Sequence, residues 1–326
     1  METIPTPLTS CFASRYTSLA TMHWKIKGLV QKVLSGVPGG VFLNDRLQLL
    51  GGLRHFEQNV ADKVDDWELT CQYLHDVGFG IPGVSIVEIG TGWYPVLPIC
   101  FSFAGARSIK TYDIERHISA KLTRRALAAL EQHLDAIAKF CTAGPAETRE
   151  KYQRLVQAPG IDKLLSLSGI EYYAPGDACN TGLPSDSVDL VYSNSVFEHV
   201  PKETILEILR ESRRILKPGG LTLHNIGCND HYAFFDRSIS FVNFLQFTES
   251  EWRRWNNSIQ YQNRLRAPQF LDLAEEAGLK VIYKRTHVRE GNREALAKLT
   301  VAPEFQRFSP EDLATTSLDF ISQKTA

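Results

Sequence analysis

A chain of 326 residues that is 43% hydrophobic and 22% charged has the make-up of a soluble globular protein, with room for one large domain or two modest ones. The formal net charge of −1 gives no bulk electrostatic case for a nucleic-acid binder. No apolar run approaches the roughly 18 residues that a stable membrane insertion needs. The six cysteines, at 11, 71, 100, 141, 179 and 228, include no C-x-x-C pair. That spacing favours reduced thiols in a cytoplasmic protein over a disulfide framework or a zinc site. The opening "METIPTPLTSCFASRY" has neither the basic start nor the apolar centre of a secretion signal.

Residues 1–20 are polar and read as disordered at their start. "MHWKIKGLVQKVLSG" then spaces Trp24, Ile26, Leu29, Val30, Val33 and Leu34 as one apolar stripe of a helix that ends at Gly36. Three lysines make this helix basic, but they are few for membrane-surface binding, so packing on its own domain is favoured. Two more helices are expected between residues 43 and 78. The first 80 residues thus read as a helical segment, a lid or a dimer contact, ahead of a second unit at 81–326.

From residue 85 strands and helices alternate. "VSIVEIG", "SIKTYDI", "IEYYA", "VDLVYSN" and "LTLHNI" read as the first five strands, with helices between them and a further helical stretch at 142–169. "KETILEILRESRRIL" is a helix closed by the turn "KPGG". A long segment, 227–267, intervenes before the helix "APQFLDLAEEAG", the strand "LKVIYKRTHV" and a last strand near the C-terminus. The pattern predicts an α/β fold, a Rossmann-like, doubly wound and mostly parallel sheet with helices on both faces.

In such a sheet ligands sit at the carboxyl ends of the strands. After the first strand, "EIGTGWYP" carries Gly90 and Gly92, which let backbone turn tightly and approach a ligand, ahead of a helix start whose free N–H groups suit a carboxylate or phosphate. The loop alone half-fits two cofactor signatures. A dinucleotide turn would need a third glycine at Pro95, and a methyl-donor loop would need one at Tyr94. The second strand ends at Asp113, about 20 residues on, where an acid accepts both hydroxyls of a ribose. Asp177 lies on the loop after the third strand, and Ser195, Glu198 and His199 follow the fourth.

The ordered set "EIGTGW…YDIE…GDA…LPSDSVDLVYSNSVFEHVPKETILEILRESRRILKPGG" resembles the class I S-adenosylmethionine-dependent methyltransferases over roughly residues 84–290. The resemblance implies an enzyme with a seven-stranded sheet whose last strand is reversed and S-adenosyl-L-methionine as cofactor. It implies that Glu88, Gly90, Thr91 and Gly92 surround the methionine part of the donor, Asp113 the ribose, and Asp177 with Ala178 the adenine, with Ser195 at the same cleft. Tyr94 in place of the third glycine is the departure.

Methyl transfer from a sulfonium needs alignment and, for a hydroxyl, removal of a proton. His199 is the candidate base, with Glu198 beside it as orienting or proton-accepting group; a histidine capping the next helix is as good a reading of the sequence. No Asn-Pro-Pro-Tyr-like run follows the fourth strand, which weakens a DNA-base or amide methylase. The aromatic-rich insertion reads as the cover of the acceptor pocket, with His224 and His231 as acceptor contacts and Arg264 and Arg266 as a clamp for an anion. Looser similarity to enzymes of bacterial polysaccharide and secondary-metabolite pathways implies a small hydroxyl-bearing, sugar-like or anionic acceptor. N- or C-methyl transfer, or a non-catalytic donor-binding role, are the competing functions. No acidic cluster or His/Cys spacing points to a metal.

Overall fold

The computed structural model describes residues 23–37, 40 and 55–325. The polar start at 1–20, Cys11 and the first of the two helices expected between 43 and 78 lie outside the described residues.

The described chain runs α1 (Trp24–Ser35), α2 (Phe56–Asp76), β1 (Ser85–Ile89), α3 (Val96–Phe103), β2 (Ser108–Tyr112), α4 (Ala120–Leu130), α5 (Leu134–Ala138), α6 (Gly144–Val156), α7 (Ile161–Leu167) and β3 (Ile170–Tyr173). It continues through β4 (Val188–Asn194), α8 (Lys202–Ile215), β5 (Leu216–Gly227), α9 (Glu249–Trp252), α10 (Ala267–Glu276), β6 (Leu279–His287), α11 (Asn292–Ala297), α12 (Pro310–Ala314) and β7 (Ser317–Lys324). The seven strands form one sheet in the order β3-β2-β1-β4-β5-β7-β6. The neighbours from β3 to β5 pair in parallel, and β7 runs antiparallel to both β5 and β6. The strand order reverses between β1 and β4, so their carboxyl ends flank the crevice that such sheets use for ligands.

Helix α8 shows how sequence builds this frame. Ile205, Ile208, Leu209, Ser212 and Ile215 recur at three- and four-residue steps and are its buried stripe, while Glu203 in the first turn and Arg213 and Arg214 in the last complement its dipole. Burying each of its aliphatic side chains contributes about 1.5–3 kcal/mol. That stripe packs with α10 on one face of the sheet. On the other face α2 and α3–α7 enclose Trp67, Phe101 and Phe103. The "KPGG" turn expected to close α8 is instead absorbed into β5, where the pairing with β4 shifts register between Val188 and Leu190 and Gly219 takes φ +81°.

Of the helical segment expected over residues 1–80, the described helices α1 and α2 pack in different cores. Helix α2 belongs to the sheet's core, whereas α1 places Trp24 among Tyr232, Phe247 and Trp255 of the 227–267 insertion. The insertion, α1 and the 292–314 region share a third core around Trp24, Phe244, Trp252 and Phe305. Helix α1 buries Trp24, Gly28 and Gln31 rather than its aliphatic stripe, and Ile26 and Val33 stand 56% and 60% exposed. The reason is steric: Gly28 has no side chain, so Tyr232 approaches its backbone closely. No described helix is long and apolar enough to cross a membrane.

Candidate active site

The glycine loop leaves β1 with Gly90 at φ +80° and Gly92 at φ +72°, a region that L side chains rarely adopt. A Cβ on Gly90 would lie 2.5 Å from Val196 Cγ2. The loop and the turn after β4 therefore touch only because position 90 is glycine.

Glu88 lies beneath this loop, 4% exposed. Its carboxylate accepts from the hydroxyls of Thr91 (2.5 Å), Thr111 (2.8 Å) and Tyr192 (2.7 Å). Burial pushes its pKa up, and the three hydroxyls act against that. These bonds turn the carboxylate of Glu88 towards Thr91, Thr111 and Tyr192, where it holds Thr91 and the turn. Tyr94, where a third glycine was absent, directs its ring away from the loop crest onto Phe56 of α2, with ring centroids 4.9 Å apart. The bulky side chain thus becomes part of the α2 contact.

Asp113 follows β2 and faces the loop. Its carboxylate accepts from the Gly92 N–H at 3.3 Å and from the Tyr172 hydroxyl at 3.0 Å. Burial pushes this carboxyl up, opposed by the Tyr172 hydroxyl. Ile114, next in the chain, is 83% exposed, an apolar face at the cleft edge that sequence reasoning passed over. Asp177 is exposed and accepts from the Cys179 N–H at 2.8 Å, while Ala178 packs on the core beneath it. Ser195 takes φ +57° and donates its N–H to the Asn225 carbonyl, which turns the chain out of β4.

The turn that follows carries Glu198 and His199. Glu198 is buried and its Oε1 accepts from the Gly227 N–H at 3.2 Å. His199 is exposed, and its Nδ1 is 2.8 Å from the Tyr261 carbonyl. A carbonyl only accepts, so Nδ1 carries the hydrogen and Nε2 keeps its lone pair. Asn263 ties the same turn to the insertion by donating to the carbonyls of Phe197 (2.6 Å) and Val200 (2.8 Å). His231 sits against His199, ring centroids 4.9 Å apart.

Three expected acceptor contacts are elsewhere. His224 has no exposed surface; it stacks on Phe197 with centroids 4.2 Å apart and meets the Ser193 hydroxyl at 2.8 Å. Its position in the middle of β5, with Phe320 as cross-strand partner, makes it a core residue. Arg266 is fully buried and donates to the Cys228, Leu265 and Leu313 carbonyls. Arg264 donates to the Phe244 and Phe247 carbonyls and pairs with Glu249 at 2.8 Å. The anion clamp expected of the two arginines is not what the structure places here: Arg266 and the Nη groups of Arg264 bond to backbone carbonyls and the insertion's own acid.

Burial alone lowers the His224 pKa from 6.5 to about 3. Between these values the unfolded chain binds more protons than the folded one, so stability falls as pH is lowered from about 6.5. Relative to a His224→Gln variant, the wild type is expected to lose about 1.4 kcal/mol per pH unit in that window. Urea unfolding of both proteins at pH 7, 6 and 5 checks this; parallel profiles would show that the folded chain takes up the proton freely.

Comparison with known proteins bears on this geometry. Residues 147–223 match a family model described as a methyltransferase domain. No curated protein matches the chain. Among solved structures, it is similar to a sarcosine dimethylglycine methyltransferase from Galdieria sulphuraria described as putative, at 15% identity over 85% of this chain and 88% of that one, TM-score 0.40. It is also similar to an S-adenosylmethionine-dependent methyltransferase from Mesorhizobium loti, at 16% identity over 77% of this chain and 96% of that one, TM-score 0.42. A geranyl diphosphate methyltransferase in complex with S-adenosylmethionine matches at 14% identity over 89% and 92% of the two chains, TM-score 0.43. The matched stretch, a methyltransferase domain by its description, runs from α6 through β4 to β5 of a seven-stranded sheet whose last strand is reversed.

Proposed function

We propose that the protein methylates a hydroxyl oxygen of a small, sugar-like molecule, with the proton received in the turn after β4. What carries this reading is the contact between Gly90 and Val196, which sets the turn bearing Glu198 and His199 directly against the donor loop. The Gly92 and Asp113 groups hold the donor's amino-acid tail and ribose. Ile114 and Ala178 supply apolar faces for the purine, and Asp177 accepts from its amine. His199, its tautomer set by Tyr261, offers Nε2 to the acceptor hydroxyl, and Glu198 is the second candidate. Half-buried Asn194, Ser195 and Asn225 at the ends of β4 and β5 suit a hydroxyl-rich acceptor. With Arg264 and Arg266 spent internally, the argument for an anionic acceptor lapses. The thiols of all five described cysteines are free, which fits a reducing, cytoplasmic setting.

Calorimetry with S-adenosylhomocysteine and, separately, NAD tests the donor assignment. S-adenosylhomocysteine alone is expected to bind; binding of NAD alone would overturn the reading.

A further inference from the structure

Three side chains that no sequence spacing links meet at the carboxyl edge of the sheet. Glu198 and His199 close the turn after β4, and His231 opens the insertion that follows β5. One ligand-type atom from each lies within 4.8 Å of the other two. No metal was expected from the sequence, because neighbouring residues 198 and 199 and the distant residue 231 form no local motif.

Each of the three is set by bonds from outside the trio. The Nδ1–H of His199 donates to the Tyr261 carbonyl, leaving Nε2 as the nitrogen able to ligate. Glu198 is oriented through Oε1 by the Gly227 N–H. The backbone N–H of His231 donates to Gln262 Oε1 at 3.1 Å, and the Gln262 amide donates in turn to the Asn229 carbonyl. The His199 bond is of the kind that fixes tautomer and ring direction around a ligating imidazole, while the Gln262 bonds anchor the backbone of His231. Burial is graded across the group, with Glu198 inside, His231 half-buried and His199 exposed. Two imidazoles and a carboxylate with one side open to solvent are a donor set for a mid-row divalent ion that keeps a position for substrate.

We propose that Glu198, His199 and His231 bind one divalent first-row transition ion, whose open position receives the acceptor oxygen. The second clause rests on the methyl-transfer reading; the ion site does not. With the acceptor on the ion, its hydroxyl proton passes to water and the oxygen attacks the methyl carbon. The O–CH3 bond forms as the S–CH3 bond breaks, and S-adenosylhomocysteine leaves with its sulfur uncharged. Ion binding thus replaces the proton-accepting role assigned to His199 and Glu198: their lone pairs hold the ion, and water takes the proton.

The test uses the untagged, chelator-stripped full chain, titrated with Co²⁺ and then Zn²⁺. One Co²⁺ per chain with visible ligand-field absorption, displaced by one Zn²⁺, is expected. His231→Ala and His199→Ala should each weaken Zn²⁺ binding more than about 100-fold, beyond the usual effect of losing a supporting partner. His133→Ala, an unrelated histidine, should leave it unchanged. Removal of exposed His199 leaves the fold intact, so that variant decides the matter if His231→Ala does not fold. S-adenosylhomocysteine affinity should stay within about threefold in the folded variants. No saturable ion, or equal binding by both variants, overturns the site. Ion binding by a wild type that ignores S-adenosylhomocysteine would instead sink the methyl-transfer reading and leave the site standing.

Discussion

Asp113→Ala is expected to weaken S-adenosylhomocysteine binding about 30- to 150-fold in calorimetry. Two effects combine. A ribose diol loses a charged acceptor, and hydrogen bonds to charged groups contribute about 1.5–3 kcal/mol. The Gly92 N–H and the Tyr172 hydroxyl also lose the group that holds them at 3.3 and 3.0 Å, so the glycine loop is less well formed before the donor arrives. Asp113→Asn keeps an acceptor for one of these donors and should fall between the two proteins. An alanine variant that binds within threefold of wild type would remove Asp113 from the donor site.

Arg266→Met is expected to destabilise the fold by about 2–4 kcal/mol in urea unfolding, with donor affinity retained by the folded protein. Two terms oppose each other here. Burying a guanidinium without an ion-paired acid is costly, and that burial lowers its pKa. Methionine removes this cost and roughly keeps the volume that packs beside Phe244. However, the Cys228 and Leu313 carbonyls cannot be replaced, and each buried acceptor left dry costs about 1–3 kcal/mol. Two such acceptors decide the sign. Lysine should not rescue the variant, since its ammonium cannot reproduce the planar fork. A change under about 1 kcal/mol would show that the desolvation cost matches the bonds.

The frame was legible because it is written locally. The five strands up to β5 and helix α8 follow from alternation and three- and four-residue steps, and Asp113 from its distance after the glycines. What escaped was written in pairs far apart. Nothing near Tyr94 says that its ring will lie on Phe56, and nothing near His224 says that the middle of β5 will be sealed by Phe320. Arg264 and Arg266 read as a clamp because a sequence displays their charge but hides the carbonyls they serve. The approach of His231 to Glu198 depends on how the insertion folds back, through Asn263 and Gln262, onto the turn after β4.

The aromatic ring of Trp24 is walled in by side chains from the opposite half of the molecule, and the backbone N–H of the same residue donates to Asp236 at 2.9 Å. A shortened chain that lacks α1 but keeps α2 would retain every group assigned to the donor. It would nonetheless expose Tyr232, Phe247 and Trp255 to water and unmoor the 227–267 insertion. Under the proposed function, removing α1 is therefore an intervention on acceptor recognition, carried out at a distance from the chemistry.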